Sequence, residues 1–346
     1  MAVKQAAEWS DKVEQILKLF PVHIRKVMEQ AEVFQRLSQK LEEIRVRVNQ
    51  PLELVTADGA YFLNNGALVR QTDRQCLSVS EEDLRQMSTL MSRYSLYAYE
   101  EEIRQGFLTV EGGHRIGVCG QVMQLNGRIN RIYPILYLNI RIARERKACG
   151  ALLYKQLWRE QEPENTLLLS APGNGKTTLL RDLIRLFSNG DEAHPGKRIG
   201  LVDERSEIAG CLHGIPQNDL GIRTDVLDGC PKVEGMMLLI RSMAPEILAV
   251  DEIGGREDFA AMEYAMRCGC HLLATVHAGS LEELFQKPGW DKCGQVKLFR
   301  NYVVISKENG ERRYTVYDER GISILPASSA YSTKRWVRGC LCQILL

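Results

Sequence analysis

Residues 166–187 read TLLLSAPGNGKTTLLRDLIRLF. The apolar beginning of this stretch predicts a buried strand, its end predicts an amphipathic helix, and a short turn containing glycine joins the two. A strand, a turn and a helix in this order form the context in which G-x-x-x-x-G-K-[ST] makes a phosphate-binding loop. Ser170 stands at the first glycine position of that pattern, but the Gly-Lys-Thr core at 175–177 is intact.

The predicted loop can bind a nucleotide through its backbone and its side chains. N–H groups of the turn and the helix start would point at the phosphates, where the helix dipole favours negative charge. Lys176 would reach the β- and γ-phosphates, and the Thr177 hydroxyl would lie on Mg²⁺. We therefore expect ATP and Mg²⁺ as cofactors, bound by Pro172, Gly173, Asn174, Gly175, Lys176, Thr177 and Thr178. The alternative is a chance Gly-Lys-Thr on a surface turn.

A second apolar run, EILAVDE at 246–252, ends in two acidic residues. In P-loop proteins such a strand lies beside the loop and its aspartate holds the Mg²⁺ shell, a role we assign to Asp251. An adjacent glutamate can polarise the attacking water as a general base, and we assign this role to Glu252. The alternative is a helix that happens to begin with two acids, which are favoured at that end of a helix.

Two further predicted strands end in polar residues. The run at 199–202 is followed by DERSE, which includes Glu207, and the run at 271–276 is followed by His277. Ligands of an open α/β sheet bind outside the carboxyl ends of its strands, so Glu207 and His277 are further catalytic candidates. A histidine after a strand is more often an ordinary loop residue, and that alternative stays open for His277.

The order of these motifs resembles that of the secretion-type ATPases, which drive type II and type IV secretion and pilus assembly. Longer runs are similar to the stage III sporulation protein AA family of endospore-forming bacteria. They are LEEIRVRVNQPLEL (41–54), GGHRIGVCGQV (112–122), NIRIARE (139–145), VDERSEIAG (202–210), RTDVLDGCPKVEGMMLLIRSMAPEILAVDEIGG (223–255) and HLLATVHAGS (271–280). The resemblance implies a hexameric ATPase ring, peripheral on the cytoplasmic face of the mother-cell membrane, with an integral membrane channel component as partner.

The resemblance also implies that arginines of an N-terminal domain complete the nucleotide site. Arg115 and Arg141 are the catalytic candidates, with Arg144 as a third, because a transferring phosphoryl group is stabilised by a fixed bidentate donor. Arg223 and Arg241 are rival candidates in the ATPase domain. The alternative is that these arginines are solvated strand residues or surface ion pairs.

Alternation of strands and helices from residue 149 predicts the fold class, α/β with a parallel sheet. The expected domains are a RecA-like P-loop NTPase domain at 149–325, a smaller α+β N-terminal domain at 1–148 and a poorly ordered tail at 326–346. Within the N-terminal domain, helices are expected over 1–48 and a mixed sheet over 49–148. The strands expected in the RecA-like domain end at Ser170 or cover 198–202, 246–251 and 271–276, with a closing hairpin around 302–317.

Composition is consistent with a cytosolic subunit of a larger assembly. The 346 residues carry a net charge of +1, which gives no bulk attraction to nucleic acid. There is no apolar run of membrane-spanning length and no apolar signal core near residue 1, and the ten cysteines form no C-x-x-C pair. We therefore expect reduced thiols, a cytoplasmic location and no nucleic acid partner.

Three functions from different classes remain to be distinguished. The first is a ring-forming ATPase that powers a membrane-embedded secretion channel. The second is a nucleic-acid-associated P-loop ATPase, which is disfavoured because no basic patch dominates the sequence. The third is a nucleotide-sensing scaffold without turnover, which the presence of Lys176, Thr177, Asp251 and Glu252 opposes.

Overall fold

The chain divides into two compact units, Met1–Arg144 and Glu145–Leu346. The structure is a computed structural model that describes residues 13–30, 40–91, 100–104, 106–143, 147–290, 298–308 and 311–329. Within these ranges, no helix is both long and apolar enough to cross a bilayer.

The N-terminal unit is an α+β structure. Its strands are β1 (Leu41–Arg47), β2 (Gln50–Pro51), β3 (Glu53–Thr56), β4 (Gly59–Asn64), β5 (Ala67–Val69), β6 (Ser78–Val79), β7 (Phe107–Val110), β8 (His114–Leu125) and β9 (Arg128–Arg141). Seven of them form an antiparallel sheet of order β5-β4-β3-β1-β9-β8-β7, while β2 pairs with β6. The helices are α1 (Val22–Gln30), α2 (Glu81–Met91) and α3 (Glu100–Arg104).

The prediction of helices over 1–48 is wrong in its last part. Residues 13–17 and α1 are helical, but β1 is a strand in the middle of the sheet, paired with β3 and β9. Its buried residues Leu41, Ile44 and Val46 face the core, and the β-branched pair fits a pleated, half-buried surface. Pairing on both sides outweighs the helix propensity of the two glutamates at its start. Residues 1–12 and 31–39 lie outside the described part of the chain.

The C-terminal unit alternates strands with helices. Its strands are β10 (Trp158–Arg159), β11 (Glu162–Pro163), β12 (Thr166–Ser170), β13 (Ile199–Asp203), β14 (Thr224–Asp228), β15 (Ile247–Val250), β16 (His271–His277), β17 (Asn301–Glu308), β18 (Glu311–Tyr317) and β19 (Ser323–Ser329). Its helices are α4 (Ala151–Tyr154), α5 (Lys176–Asn189), α6 (Lys232–Ser242), α7 (Arg256–Arg267) and α8 (Leu281–Phe285).

Eight of these strands form one sheet, in the order β14-β13-β15-β16-β12-β17-β18-β19. The first six run parallel and the last two are antiparallel. Both faces are covered: Leu168 of β12 packs into one apolar cluster with α5, while Leu167 and Leu169 pack into the other with α6 and α7. Burial on both faces explains why these strands read as continuous apolar runs. The carboxyl ends of the parallel strands meet at one edge, where the phosphate loop, Asp251, Glu252 and His277 lie.

Two features of this sheet differ from the prediction. The predicted strands do not include β14, because TDVLD interleaves acids with apolar residues and its side chains are only half-buried. The expected tail at 326–346 begins too early, since β19 runs to Ser329 and pairs with β18 beside the predicted hairpin. Residues 330–346 lie outside the described part of the chain.

Candidate functional site

The loop between β12 and α5 has the backbone of a phosphate cradle. Gly173 and Gly175 have φ values of 79° and 90°, in the left-handed region that glycine adopts without a steric penalty. Gly175 caps α5 without a side-chain hydrogen bond, so the N–H groups of the first turn are available to an anion. Pro172 is exposed, whereas three neighbours that the sequence assigns to nucleotide binding are half-buried, namely Asn174, Thr177 and Thr178.

Ser170 replaces the first glycine of the motif without disturbing the loop. It is buried, has no positive φ, and continues β12 in register with His277 of β16 and Ile305 of β17. Its hydroxyl donates a hydrogen bond to the carbonyl of Ala171 at 2.9 Å. The turn begins after this residue, so the position has no requirement for glycine here.

Lys176 is buried at the start of α5, with 5% of its surface exposed. Within the part of the chain that the structure describes, its Nζ has no hydrogen-bond partner. Burial lowers the pKa of this ammonium, against the charges of Asp251, Glu252 and Glu207, which raise it. A buried cation without a hydrogen bond is costly, and a phosphate oxygen would satisfy it.

Thr177 and Asp251 offer oxygen ligands to a metal ion. The Thr177 hydroxyl lies 3.4 Å from Oδ2 of Asp251, close to the ~3 Å that separates adjacent ligands of an octahedral Mg²⁺. The other oxygen, Oδ1, accepts from the Thr275 hydroxyl and from the backbone N–H of Glu252. A hydroxyl and one carboxylate, completed by phosphate and water oxygens, suit this hard cation.

Glu252 is held in an uncommon backbone conformation just after β15. Its φ is 52°, in the left-handed region that non-glycine residues rarely adopt. Its N–H donates to Thr275 Oγ1 at 2.9 Å, and its carbonyl accepts from Lys232 Nζ at 2.8 Å. These bonds fix the backbone from two sides, so the carboxylate starts from a defined position.

The carboxylate of Glu252 bridges a histidine and an arginine. One oxygen lies 2.7 Å from Nε2 of His277, and the other lies 2.7 Å from Nη1 of Arg205. Burial raises the pKa of Glu252, but the hydrogen bond with His277 and the charge of Arg205 outweigh it and hold the pKa below its usual value. Glu252 is therefore an anion at neutral pH. The sequence prediction named His277 but did not include Arg205.

Glu207 lies on a loop that Asp203 organises. The buried Asp203 carboxylate at the end of β13 accepts backbone N–H bonds from Glu207, Ile208 and Ala209 at 2.8–3.0 Å. Burial raises the pKa of Asp203 to about 6, although these donors act in the opposite direction. Glu207 is exposed at the same edge of the sheet, and its charge acts on Lys176. Asp203 is thus a positioning residue of this loop.

The arginine candidates of the N-terminal unit lie side by side. Arg115 on β8 and Arg141 on β9 are directly opposite each other in the register of the sheet. The Arg115 guanidinium lies 3.6 Å from the centre of the Phe107 ring, and Nε of Arg141 lies 3.8 Å from a carboxylate oxygen of Glu43. Arg144 lies outside the described residues.

The rival arginines of the C-terminal unit lie elsewhere. Arg223 precedes β14, at the amino end of that strand, and its Nη1 donates to the carbonyl of Ser188 near the end of α5. This is the edge of the sheet opposite to the phosphate loop. Arg241 is exposed in the last turn of α6. Neither placement favours a role at the nucleotide.

Arg312 is an arginine at the phosphate loop that the sequence prediction missed. It lies on β18 opposite Lys307 of β17, just beyond the position where β17 pairs with the end of β12. A Cβ atom built on Gly175 would lie 2.8 Å from Cζ and 2.9 Å from Nε of Arg312. The guanidinium therefore packs against the loop backbone, in space that only a glycine leaves open.

Residues 10–324 match the family described as sporulation stage III, protein AA. The chain belongs to this family. Stage III sporulation protein AA of Bacillus subtilis is 37% identical over 310 residues, which cover 89% of this chain and 96% of that protein. The family prediction made from the sequence is therefore confirmed.

Solved structures confirm the predicted fold. The ATPase DotB of Yersinia pseudotuberculosis aligns with a TM-score of 0.54 and 12% identity, over 85% of this chain and 79% of that one. The pilus retraction motor PilT, solved with bound ADP, aligns with a TM-score of 0.50 and 14% identity, over 90% and 87%. At these identities the likeness shows the fold alone, an α/β domain with a parallel sheet that follows an α+β unit in the chain.

Proposed function

We propose that this chain hydrolyses ATP to ADP and phosphate. The observation that carries the proposal is the buried Lys176 ammonium, which lacks a hydrogen-bond partner among the described residues and feels the charges of Asp251 and Glu252. A triphosphate with its metal ion would satisfy Lys176 and the free N–H groups of α5 together.

In the proposed reaction each group has one task. Lys176 and the loop N–H groups bind the phosphates, and Thr177 and Asp251 hold Mg²⁺, which neutralises phosphate charge when bound. Glu252 accepts a proton from water as the water oxygen bonds to the γ-phosphorus and the bond to the ADP oxygen breaks. His277 orients the Glu252 carboxylate and can sense the γ-phosphate, and Glu207 is the alternative base.

We further propose that the chain is the homo-hexameric motor of a secretion-type channel used in endospore formation. It would lie on the cytoplasmic face of the mother-cell membrane, docked on an integral channel component, without a nucleic acid partner. Membership of a sporulation family and the fold shared with a pilus motor support this role. A ring built from one repeated heterologous contact suits such a motor.

Assembly should control activity. If Arg115 and Arg141 complete the site of a neighbouring subunit, specific ATPase activity should rise steeply with protein concentration, in step with particle mass measured by light scattering. Arg115→Ala and Arg141→Ala should each lower turnover about tenfold or more while the ATP affinity changes little, because such an arginine acts mainly in the transition state. Arg85→Ala is the matched control, since this exposed arginine pairs with Glu82 on the surface of α2.

Specific activity that stays constant down to concentrations where only monomer scatters light would contradict the ring. If Arg85→Ala lost as much activity as the other two variants, the loss of turnover would not be specific to Arg115 and Arg141.

Arg312 should bind the nucleotide phosphates. Arg312→Gln should weaken Mg-ADP binding about tenfold or more, since a hydrogen bond from a charged donor contributes about 1.5–3 kcal/mol. The measurement is the ADP dissociation constant, together with the rise in Tm that ADP causes. Arg313→Gln is the control, because adjacent strand residues point to opposite faces. If Arg312 only braced the loop, the variant would melt lower without nucleotide yet keep the full ADP-induced rise.

A further inference from the structure

The β8–β9 hairpin extends beyond the sheet of the N-terminal unit. β7 pairs with β8 only over His114–Gly117, and β1 pairs with β9 only over Tyr137–Arg141. Beyond these positions the described residues provide no further strand alongside the hairpin. Residues 121–130, here called the distal ribbon, contain the Asn126–Gly127 turn, and every one of them is exposed. A two-stranded ribbon of this kind is marginally stable by itself in water.

Apolar side chains cover both faces of the distal ribbon. Val122, Met123, Leu125 and Ile129 are 43%, 53%, 61% and 45% exposed. Met123 and Leu125 point to one face, and Val122, which is adjacent to Met123 in the strand, points to the other. Isolated exposed apolar residues are common on soluble proteins, but a group of this density marks an interaction surface.

The charged side chains of the β8–β9 hairpin itself have a single sign, while Glu81 and Glu82, which line a cavity with Arg131, belong to α2. Residues 112–144 contain five arginines and no aspartate or glutamate, in a chain that has 44 acids among 346 residues. Arg128 pairs across the hairpin with Leu125, and Arg131 pairs with Met123. The overall net charge of +1 therefore conceals a local basic and apolar element. Its complement is a surface that is negatively charged outside and apolar inside.

Tyrosines lie behind the tip. Tyr133 and Tyr137 are 51% and 45% exposed, and the Arg131 guanidinium lies 5.1 Å from the centre of the Tyr133 ring. Arg131 and the two tyrosines follow the apolar tip, an order that fits a lipid interface because these side chains keep polar ends at the headgroups.

We propose that the distal ribbon inserts its apolar tip into a bilayer surface that carries anionic headgroups. An acidic protein would also attract the arginines, but a partner strand or groove covers one face or one edge of a ribbon. Immersion in lipid covers both faces at once, which matches the presence of apolar side chains on both faces of the ribbon. Arg131 then lies at the level of the headgroups, and Arg128, which pairs with Leu125 beside the turn, reaches the headgroups through its long side chain.

The proposal is tested by sedimentation of the full chain with phosphatidylcholine vesicles that contain or lack phosphatidylglycerol. The wild-type chain should sediment with the anionic vesicles and be released by salt, which screens headgroup attraction. Met123→Gln combined with Leu125→Gln should lower the vesicle partition about tenfold or more. Arg128→Gln combined with Arg131→Gln should remove the preference for anionic vesicles.

The matched control is Ile222→Gln combined with Ile322→Gln, which changes two residues of the C-terminal unit that are 80% and 60% exposed. It should sediment like the wild-type chain. These side chains are exposed, or half-buried in the case of Arg131, so circular dichroism melting should show folded variants. Failure of the wild-type chain to bind anionic vesicles at low salt overturns the proposal. Binding as strong as that of the wild-type chain by Met123→Gln with Leu125→Gln also overturns it. The ribbon would instead be a protein interface under a different result. In that result the wild-type chain binds no vesicles but binds a purified acidic protein, and Met123→Gln with Leu125→Gln abolishes that binding.

Discussion

Replacing Glu252 with glutamine should leave ATP bound and unhydrolysed. The substituted side chain would keep its size and one oxygen that can accept from Arg205, but an amide cannot accept the proton of the attacking water. We expect turnover to fall by about 100- to 10,000-fold, the usual contribution of a general base. The affinity for Mg-ATP should be retained or increased, because a negative charge near the γ-phosphate is removed.

The measurement is the nucleotide that remains on the variant after incubation with Mg-ATP and gel filtration. Glu204→Gln is the matched control, since this exposed acid follows β13 and pairs with Lys232. It should hydrolyse ATP at nearly the wild-type rate. Turnover that is normal in Glu252→Gln but lost in Glu207→Gln would assign the base to Glu207.

Replacing Lys176 with alanine should abolish tight nucleotide binding. Loss of a charge-assisted donor to the phosphates costs about 2–3 kcal/mol, which corresponds to about 30- to 150-fold in affinity. The variant without nucleotide should melt no lower than the wild-type chain, because a buried ammonium without a hydrogen-bond partner among the described residues is removed. The two effects are measured by ATP titration and by calorimetric melting.

Lys197→Ala supplies the contrast for Lys176→Ala. Lys197 is another buried lysine of the same unit, but its Nζ lies 3.1 Å from Glu162 and 3.5 Å from Glu246. Its removal should lower the Tm, because the partly buried Glu246 keeps Arg198 but loses one of its two cationic partners, and should leave the ATP affinity unchanged. An ATP affinity that survives Lys176→Ala would contradict the assignment of the phosphate site.

The sequence predicts those parts of the site that depend on local pattern. The apolar runs before Ser170, Asp251 and His277 predict parallel strands, and the carboxyl ends of such strands meet at one edge. The structure brings Lys176 and Thr177 to that edge with these residues. Proximity of residues that are distant in sequence thus follows from strand direction alone.

Other parts of the site depend on contacts between residues that are distant in sequence, and no local sequence pattern predicts them. Arg312 reaches Gly175 only because β17 and β18 pair in one register, and Arg205 meets Glu252 only because a loop bends back from β13. Contacts between distant residues also explain why the sequence did not predict strand β1, since LEEIRVR has the composition of a surface helix. Its neighbours in the sheet decide its structure, and they are distant in sequence.

Phosphate release from Mg-ATP by the full chain distinguishes an ATPase from a chain that only binds the nucleotide. It is followed over time at concentrations where light scattering shows the assembled particle, with Lys176→Ala prepared in parallel as the blank. We predict steady phosphate release by the wild-type chain and none above background by the variant. Tight ATP binding without phosphate release at any protein concentration would contradict the proposed hydrolysis and would assign the chain to nucleotide sensing without turnover.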